Sequence, residues 1–215
     1  GIVSRLPGGL VTIYEYVKTG EANIIVAILF AIFAVVCVAG VITIQEGQRK
    51  IPVQYAKRVV GRRVYGGQST HIPMKVNQSG VIPIIFAMTI LMFPTTIASF
   101  FPNNGFAQWI TKVLSFQHPV YIFLYALLVV LFTYFYTAVS FNPADVAENL
   151  KKQGGFIPGL RPGKPTADYL DKVLSRITMA GAAFLAIIAV LPSVAMSITG
   201  WNLYFGGTSL LIAIG

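Results

Sequence analysis

Charge is what this sequence has least of. Only 11% of its 215 residues are Asp, Glu, Lys or Arg, against about 25% in an ordinary soluble domain. Too little polar surface remains to cover the outside of a water-soluble domain. Disorder is excluded as well, because 55% of the residues are hydrophobic and 13% aromatic, whereas disordered chains are polar and poor in aromatics. Cysteine occurs once, at Cys37, so no disulfide forms within the chain and no zinc or iron–sulfur site rests on cysteine. Inside its apolar run Cys37 reads as a small packing residue. The two histidines, His71 and His118, lack a cysteine, carboxylate or serine partner at catalytic spacing. Both read as surface or interfacial residues. No catalytic residue, metal site or cofactor is expected, and the chain is not expected to be an enzyme. The opening residues GIVSRLPGGL are not a signal peptide, since no basic stretch precedes a long apolar run. The start at Gly1 and the stop at Gly215 inside an apolar run suggest a fragment or processed product.

What is present in excess is apolar sequence in long runs. A bilayer span takes about 20 apolar residues, and four runs reach that length: 23–44, 81–101, 119–140 and 177–199. None contains Asp, Glu, Lys, Arg or His. Buried helices of a soluble protein show a polar face, and these show almost none. A further apolar run starts near Gly206. The expected fold is therefore all-α, a polytopic helical membrane protein with four full spans and the start of a fifth.

The basic residues are confined to two stretches. Segment 45–80 holds Arg49, Lys50, Lys57, Arg58, Arg62, Arg63 and Lys75, and segment 141–176 holds Lys151, Lys152, Arg161, Lys164, Lys172 and Arg176. The remaining segments hold only Arg5, Lys18 and Lys112, a split of 13 against 3. Positive charge stays on the cytoplasmic side. Segments 45–80 and 141–176 are thus expected as cytoplasmic loops. On the other side lie 1–22, following an upstream helix, the loop 102–118, and a short external loop that opens 200–215 before a truncated span.

Both cytoplasmic loops carry local structure signals. In the first, apolar and polar residues alternate around Val53, Tyr55, Val59 and Val60, and Gly61 interrupts them. This predicts two short extended arms around a basic turn. In the second, Asn142 caps a helix with Pro143 at its first position and Asp145 in its first turn. Gly154 and Gly155 stop that helix after Lys152 or Gln153. The stretch GGFIPGLRPGKP is expected as an exposed loop without regular structure. Thr166 is expected to cap the next helix, with Asp168 in its first turn, and that helix continues into the fourth span. Prolines 83, 94 and 192 fall inside apolar runs and each removes a backbone donor. Pro83 sits near a helix start, and Thr95 and Thr96 are placed to satisfy carbonyls freed by Pro94.

Several function classes fail on these residues. Gly159 to Lys164 faintly resembles a phosphate loop, but Pro158 stands where the first glycine belongs and Pro165 where Ser or Thr is required. A secondary transporter places ionisable groups at mid-membrane, and no span does so. A TVGYG potassium filter is absent. Any pathway lined by these helices would have to be apolar, which suits something that must not leak ions. Meanwhile Arg62, Arg63 and Arg161 stand beside turn-forming Gly61 and Pro162-Gly163. A planar guanidinium held in an exposed loop suits phosphate or carboxylate, so a nucleoprotein or an acidic protein surface is an expected partner. A secondary transporter with basic loops, or a membrane anchor that docks a partner without a pore, remains the alternative.

Three stretches carry a family resemblance. The run EGQRKIPVQYAKRVVGRRVYGGQSTHIPMKVNQSGVIPIIFA resembles the bacterial SecY family, the main subunits of the protein-conducting channel. So do FNPADVAENLKKQGGFIPGLRPGKPTADYLDKVLSRIT and YFGGTSLLI. The resemblance covers essentially the whole chain and implies the C-terminal half of a SecY-type bundle: the end of the fifth transmembrane helix, helices six to nine and the start of the tenth. It implies a multi-pass protein of the bacterial cytoplasmic (inner) membrane. The first basic loop would dock at the ribosome exit tunnel through Lys57, Arg58, Arg62 and Arg63, meeting rRNA and ribosomal proteins. Arg161, in GLRPG, matches the arginine needed for work with the motor ATPase SecA. Ile85 and Ile212 match positions of the apolar pore ring, and Lys75 and Asn77 lie at the lateral gate to the lipid bilayer. Further partners implied are the N-terminal half of the same subunit, SecE-like and SecG-like subunits, and the signal peptide or nascent chain in transit. The first four helices and the plug of the family lie outside this sequence, so the fragment alone is not expected to conduct a polypeptide.

Overall fold

The computed structural model describes residues 11, 14–15, 17–20, 24–56, 58–60, 63–65 and 69–199. Uncharged, apolar sequence forms helices where the backbone must satisfy its own hydrogen bonds. Helix α1 spans Ile24–Glu46, α2 Ile82–Ser99, α4 Pro119–Ser140 and α6 Lys164–Thr199. A short helix, α3 (Gly105–Val113), lies in the connection between α2 and α4. Three of these, α2, α4 and α6, are long and apolar enough to cross a membrane. The first expected span, 23–44, coincides with α1.

The bundle is built around α4. Its buried residues Tyr121, Tyr125, Val129, Thr133 and Thr137 recur every fourth position, one stripe of a helix. That stripe packs against Ile84, Ala87 and Leu91 of α2, and against Leu185, Ala186, Ile188 and Ala189 of α6. The alanines of α6 let the backbones approach closely, the usual device where lipid tails compete with side chains for contact. Val41 brings α1 into the same core.

Helix ends follow local chemistry. His118 caps α4, its Nδ1 accepting from Val120 N at 3.3 Å, and Pro119 supplies the preset first position. Pro83 occupies the first turn of α2, where its missing N–H costs nothing. Pro94 lies within α2 without ending it. The hydroxyls of Thr95 and Thr96 both donate to Met92 O at 2.8 Å. This differs from the expectation in one respect: the carbonyl that loses its donor to Pro94 belongs to Ile90, four residues back. Pro192 likewise lies inside α6.

Two basic loops, expected as separate, fold together. Strand β1 (Gln48–Tyr55) pairs antiparallel with β4 (Ser69–Lys75), from Gln48 opposite Lys75 to Gln54 opposite Ser69. Between them β2 (Arg58–Val60) and β3 (Arg63–Tyr65) form a smaller antiparallel pair. These are the two extended arms read from the alternation. The other edge of β1 takes β5 (Gly155–Phe156), with Gln54 opposite Phe156 and Tyr55 opposite Gly155. The stretch GGFIPGLRPGKP is thus not without regular structure. Its first residues add a strand to the other loop, and Ile157 is buried behind it. The fold is mostly helical, as expected, with this small sheet added. Ile51 and Val53 of β1 and Met74 of β4 join Leu150, Ile157, Leu170, Val173 and Leu174 in a second core. Leu150 comes from α5 (Pro143–Lys152), and Leu170, Val173 and Leu174 from the start of α6.

Helix α5 has the expected caps. Asn142 Oδ1 accepts from Ala144 N at 3.1 Å, Pro143 opens the helix and Asp145 lies in its first turn. After the helix Gly154 takes φ +72°, the left-handed turn that glycine permits. The expected cap of α6 is corrected. The helix starts at Lys164, two residues before Thr166. Buried Thr166 donates its hydroxyl back to Arg161 O at 2.9 Å, so it ties the preceding loop instead of the helix amides. The long helix does run on into the fourth span, as read.

Candidate functional site

Arg161 is the best-defined of the expected docking residues. Its loop is fixed from both sides. Leu160 N donates to Ile157 O at 3.0 Å, closing a turn anchored on a buried isoleucine. Gly159 and Gly163 take φ +87° and +106°, conformations that cost a side chain but not glycine. The Thr166 hydroxyl holds the Arg161 carbonyl. Arg161 itself is exposed, and the one ion pair among the described side chains lies elsewhere, between Glu148 and Lys152. A fixed backbone under a free guanidinium suits bidentate capture of a carboxylate or phosphate. The turn read from Pro162-Gly163 is therefore real, but Thr166 and Gly159 complete it.

The first basic loop is described in part. Arg58 stands opposite Tyr65 and Arg63 opposite Val60 in the β2–β3 pair, which places both strands beyond the main sheet. Lys57, Arg62 and Ile212 lie outside the described residues. The strand register puts Lys50, His71 and Lys75 on the sheet face opposite Ile51, Val53 and Met74. That face is solvent-exposed and basic. The Glu148–Lys152 pair on α5, at 2.9 Å, lowers the Glu148 carboxyl because Lys152 hydrogen-bonds it, and raises the Lys152 ammonium for the same reason. The pair is fully exposed, so it shapes charge more than stability.

Lys75 and Asn77 sit at the junction of sheet and membrane helix, in different settings. Lys75 ends β4 and is exposed. Asn77 is buried, and both ends of its amide are engaged: Nδ2 donates to Gly80 O at 3.1 Å and Oδ1 accepts from Ser79 Oγ at 3.1 Å. With Gly80 at φ +63°, it closes the turn that aims α2. Beside it, Val76 N donates to Gly47 O at 2.9 Å, and Val76 O lies where a Cβ on Gly181 would be only 2.5 Å away. The ends of α1 and β4 thus meet α6 backbone to backbone. Sequence reading missed this contact; a glycine inside a helical run was its only local signal.

Ile85 lies one turn into α2 and is 38% exposed. It shares an exposed helical stripe with Thr89, Met92 and Thr96, pointing away from Ile84, Ala87 and Leu91, which pack on α4. Thr89 returns its hydroxyl to Ile85 O at 2.8 Å, so the stripe offers solvent or ions no free hydroxyl donor at that position.

Taken together, an uncharged helical bundle and a folded basic unit on one side define a multi-pass helical membrane protein. The sequence model of the SecY family matches residues 1–215. The chain belongs to the SecY family. It is 47% identical over its full length to a protein translocase subunit SecY of Halalkalibacterium halodurans, covering 52% of that protein. It is 45% identical to the SecY of Escherichia coli, covering 49%. The chain therefore spans about half the length of the curated relatives it matches, and the match falls on their C-terminal half. Among solved structures, a protein-conducting channel superposes with a TM-score of 0.58 at 18% identity, over 99% of this chain and 53% of that one. A second, a SecY structure concerned with how its plug domain stabilises the closed channel and maintains a membrane seal, gives 0.55 at 17% identity, over 96% and 51%. At those identities the two structures speak for the fold.

Proposed function

We propose that this chain forms the C-terminal half of a channel that passes secretory polypeptides across the bacterial cytoplasmic membrane and membrane proteins into it. The observation that carries the reading is the exposed, uncharged stripe on α2 that begins at Ile85. In a bundle whose other helices bury one face against each other, this face is left for a lumen. A ring of branched aliphatic side chains closes around a passing chain and sheds water, so it blocks ions by dewetting. Ile85 and Ile212 are assigned to that ring, and the remainder comes from the N-terminal half. Lys75 and Asn77 mark the cytoplasmic end of the lateral gate, Asn77 by fixing the turn that aims α2 and Lys75 by its exposed charge.

The chain performs no chemistry of its own in this reading. Driving force comes from the ribosome or SecA docked on the basic unit, through Lys57, Arg58, Arg62 and Arg63 at the first loop and Arg161 at the second. Segments 45–80 and 141–176 are cytoplasmic, and 1–22, 102–118 and 200–206 external. SecE-like and SecG-like subunits complete the assembly. The test is Ile85→Ser in the full-length protein, reconstituted with its partner subunits in a planar bilayer. Resting ion conductance should rise because a hydroxyl wets the constriction. Conductance equal to wild type would remove Ile85 from the ring.

A further inference from the structure

A cavity of about 160 Å³ opens between the cytoplasmic end of α4 and the first turns of α6, well above the ~30 Å³ that one water occupies in the liquid. On α6 it is lined by Asp171, Ser175 and Thr178, spaced i, i+4, i+7 and so on one face. On α4 it is lined by Tyr134 and Thr137, and Phe141 closes the end. Thr137 and Thr178 are 3% and 4% exposed. Neither hydroxyl has a hydrogen bond among the described residues, although Thr133, one turn earlier, returns its own to Val129 O at 2.7 Å. Asp171 is likewise without an ion pair among the described residues, in a chain of net charge +9. A carboxylate, unpartnered hydroxyls and two aromatic walls form an acceptor-rich pocket with no basic lining residue.

We infer that this cavity is a site for the primary ammonium of an ethanolamine phospholipid in the cytoplasmic leaflet. The three N–H donors of the headgroup are shared among four acceptor groups, the Asp171 carboxylate and the hydroxyl oxygens of Thr137, Thr178 and Ser175. Its place along the bundle points to lipid. The apolar run of α4 ends at Ser140, so the cavity sits where hydrocarbon gives way to headgroups. Tyr134 lies about 9 Å deeper, six residues at ~1.5 Å each, in the belt where tyrosine favours the interface. Around it, exposed Leu131, Phe135 and Val139 of α4 offer apolar surface to acyl chains. Lys172 and Arg176, each one residue round α6 from Asp171 and Ser175 and both exposed, suit the lipid phosphate. A lysine from another protein would have no use for those two cations.

The test is native mass spectrometry of the full-length protein in its membrane complex, released from mixed micelles with equal amounts of phosphatidylethanolamine, phosphatidylcholine and phosphatidylglycerol of one acyl composition. Retained ethanolamine lipid should exceed choline lipid, whose quaternary ammonium donates no hydrogen bond. Asp171→Asn should cut ethanolamine-lipid retention at least about fivefold and leave phosphatidylglycerol unchanged, and Ser175→Ala should give a smaller loss. Equal retention of ethanolamine and choline lipids, or an unaffected Asp171→Asn protein, would overturn the site. So would carbodiimide coupling of Asp171 in native membranes to a protein lysine in place of the lipid amine.

Discussion

Gly181→Ala measures the contact where the basic sheet unit is fastened to the helical bundle. A Cβ at position 181 would lie 2.5 Å from Val76 O, about 0.9 Å short of the 3.4 Å at which ordinary contact begins. The obstacle is a backbone carbonyl, and Val76 is itself held to Gly47 O at 2.9 Å. No side chain can swing aside, so either α6 or the sheet-to-helix junction must shift. Inserting a methyl group into so closed a contact costs about 1–3 kcal/mol. Gly40→Ala is the matched control in α1. Its Cβ would meet only the ring edge of Phe184 at 3.5 Å, ordinary contact, so it should be neutral or gain up to about 1 kcal/mol of helix propensity. The assay is thermal unfolding of the full-length protein in detergent, followed by loss of the monodisperse peak in size-exclusion chromatography. The shift per kcal/mol falls with size, from ~2–4 °C for a chain of 150–250 residues, and the full-length relatives are about twice this length, so Gly181→Ala should lower the midpoint by a few degrees while Gly40→Ala leaves it in place or raises it. Equal midpoints for the two variants would refute the backbone contact as described.

Further outcomes test other parts of the structure. Arg161→Glu in the intact protein should impair motor-driven export without lowering the amount of subunit in the membrane, read by export assay and immunoblot; unaltered export would refute a docking role. Leu170→Ala removes a fully buried side chain from the core shared by both basic loops, at a cost of about 2–5 kcal/mol, and should expose both loops to protease together. The Glu148–Lys152 pair sets a pH window. Glu148 is lowered in the folded state, so its contribution is present above the ordinary carboxylate range and lost as pH falls through the depressed value. Lys152 is raised, so its contribution persists through neutral pH and is lost as pH rises past the elevated value. Glu148→Gln should flatten both edges by removing this small contribution, lowering the midpoint slightly at pH 7 and leaving it unchanged at the extremes where the pair is already broken, checked by unfolding midpoints across pH.

Much of this architecture is written locally. Uncharged runs of about 20 residues mark α2, α4 and the upper part of α6, because lipid excludes charge without regard to tertiary context. The start of α4 at Pro119 and the caps of α5 were legible because Pro, Asn and Gly act through their own backbone. The union of the two loops was not. Tyr55 pairs with Gly155 across a hundred residues of sequence, and no periodicity within either loop encodes the other. Thr166 misled for a related reason: the helix already begins at Lys164, so Thr166 lies inside its first turn, and its hydroxyl donates back to Arg161 O in the preceding loop. Asn77 is legible as polar, but its engagement within a four-residue turn depends on Gly80 adopting a positive φ. The site residues divide along the same line. Ile85 is one apolar residue among many until the packing of its neighbours leaves it on the uncovered side.

Helix α6 belongs to both hydrophobic cores, with Leu170, Val173 and Leu174 in one and Leu185, Ile188 and Ala189 in the other. At ~1.5 Å per residue its 36 residues make a rod about 54 Å long. Such a rod works as a lever. A load applied to the basic platform cannot be absorbed by a hinge between loop and membrane, because the same helix is clamped at both levels. A load on the basic unit therefore reaches the bundle as tilt or rotation of one continuous element.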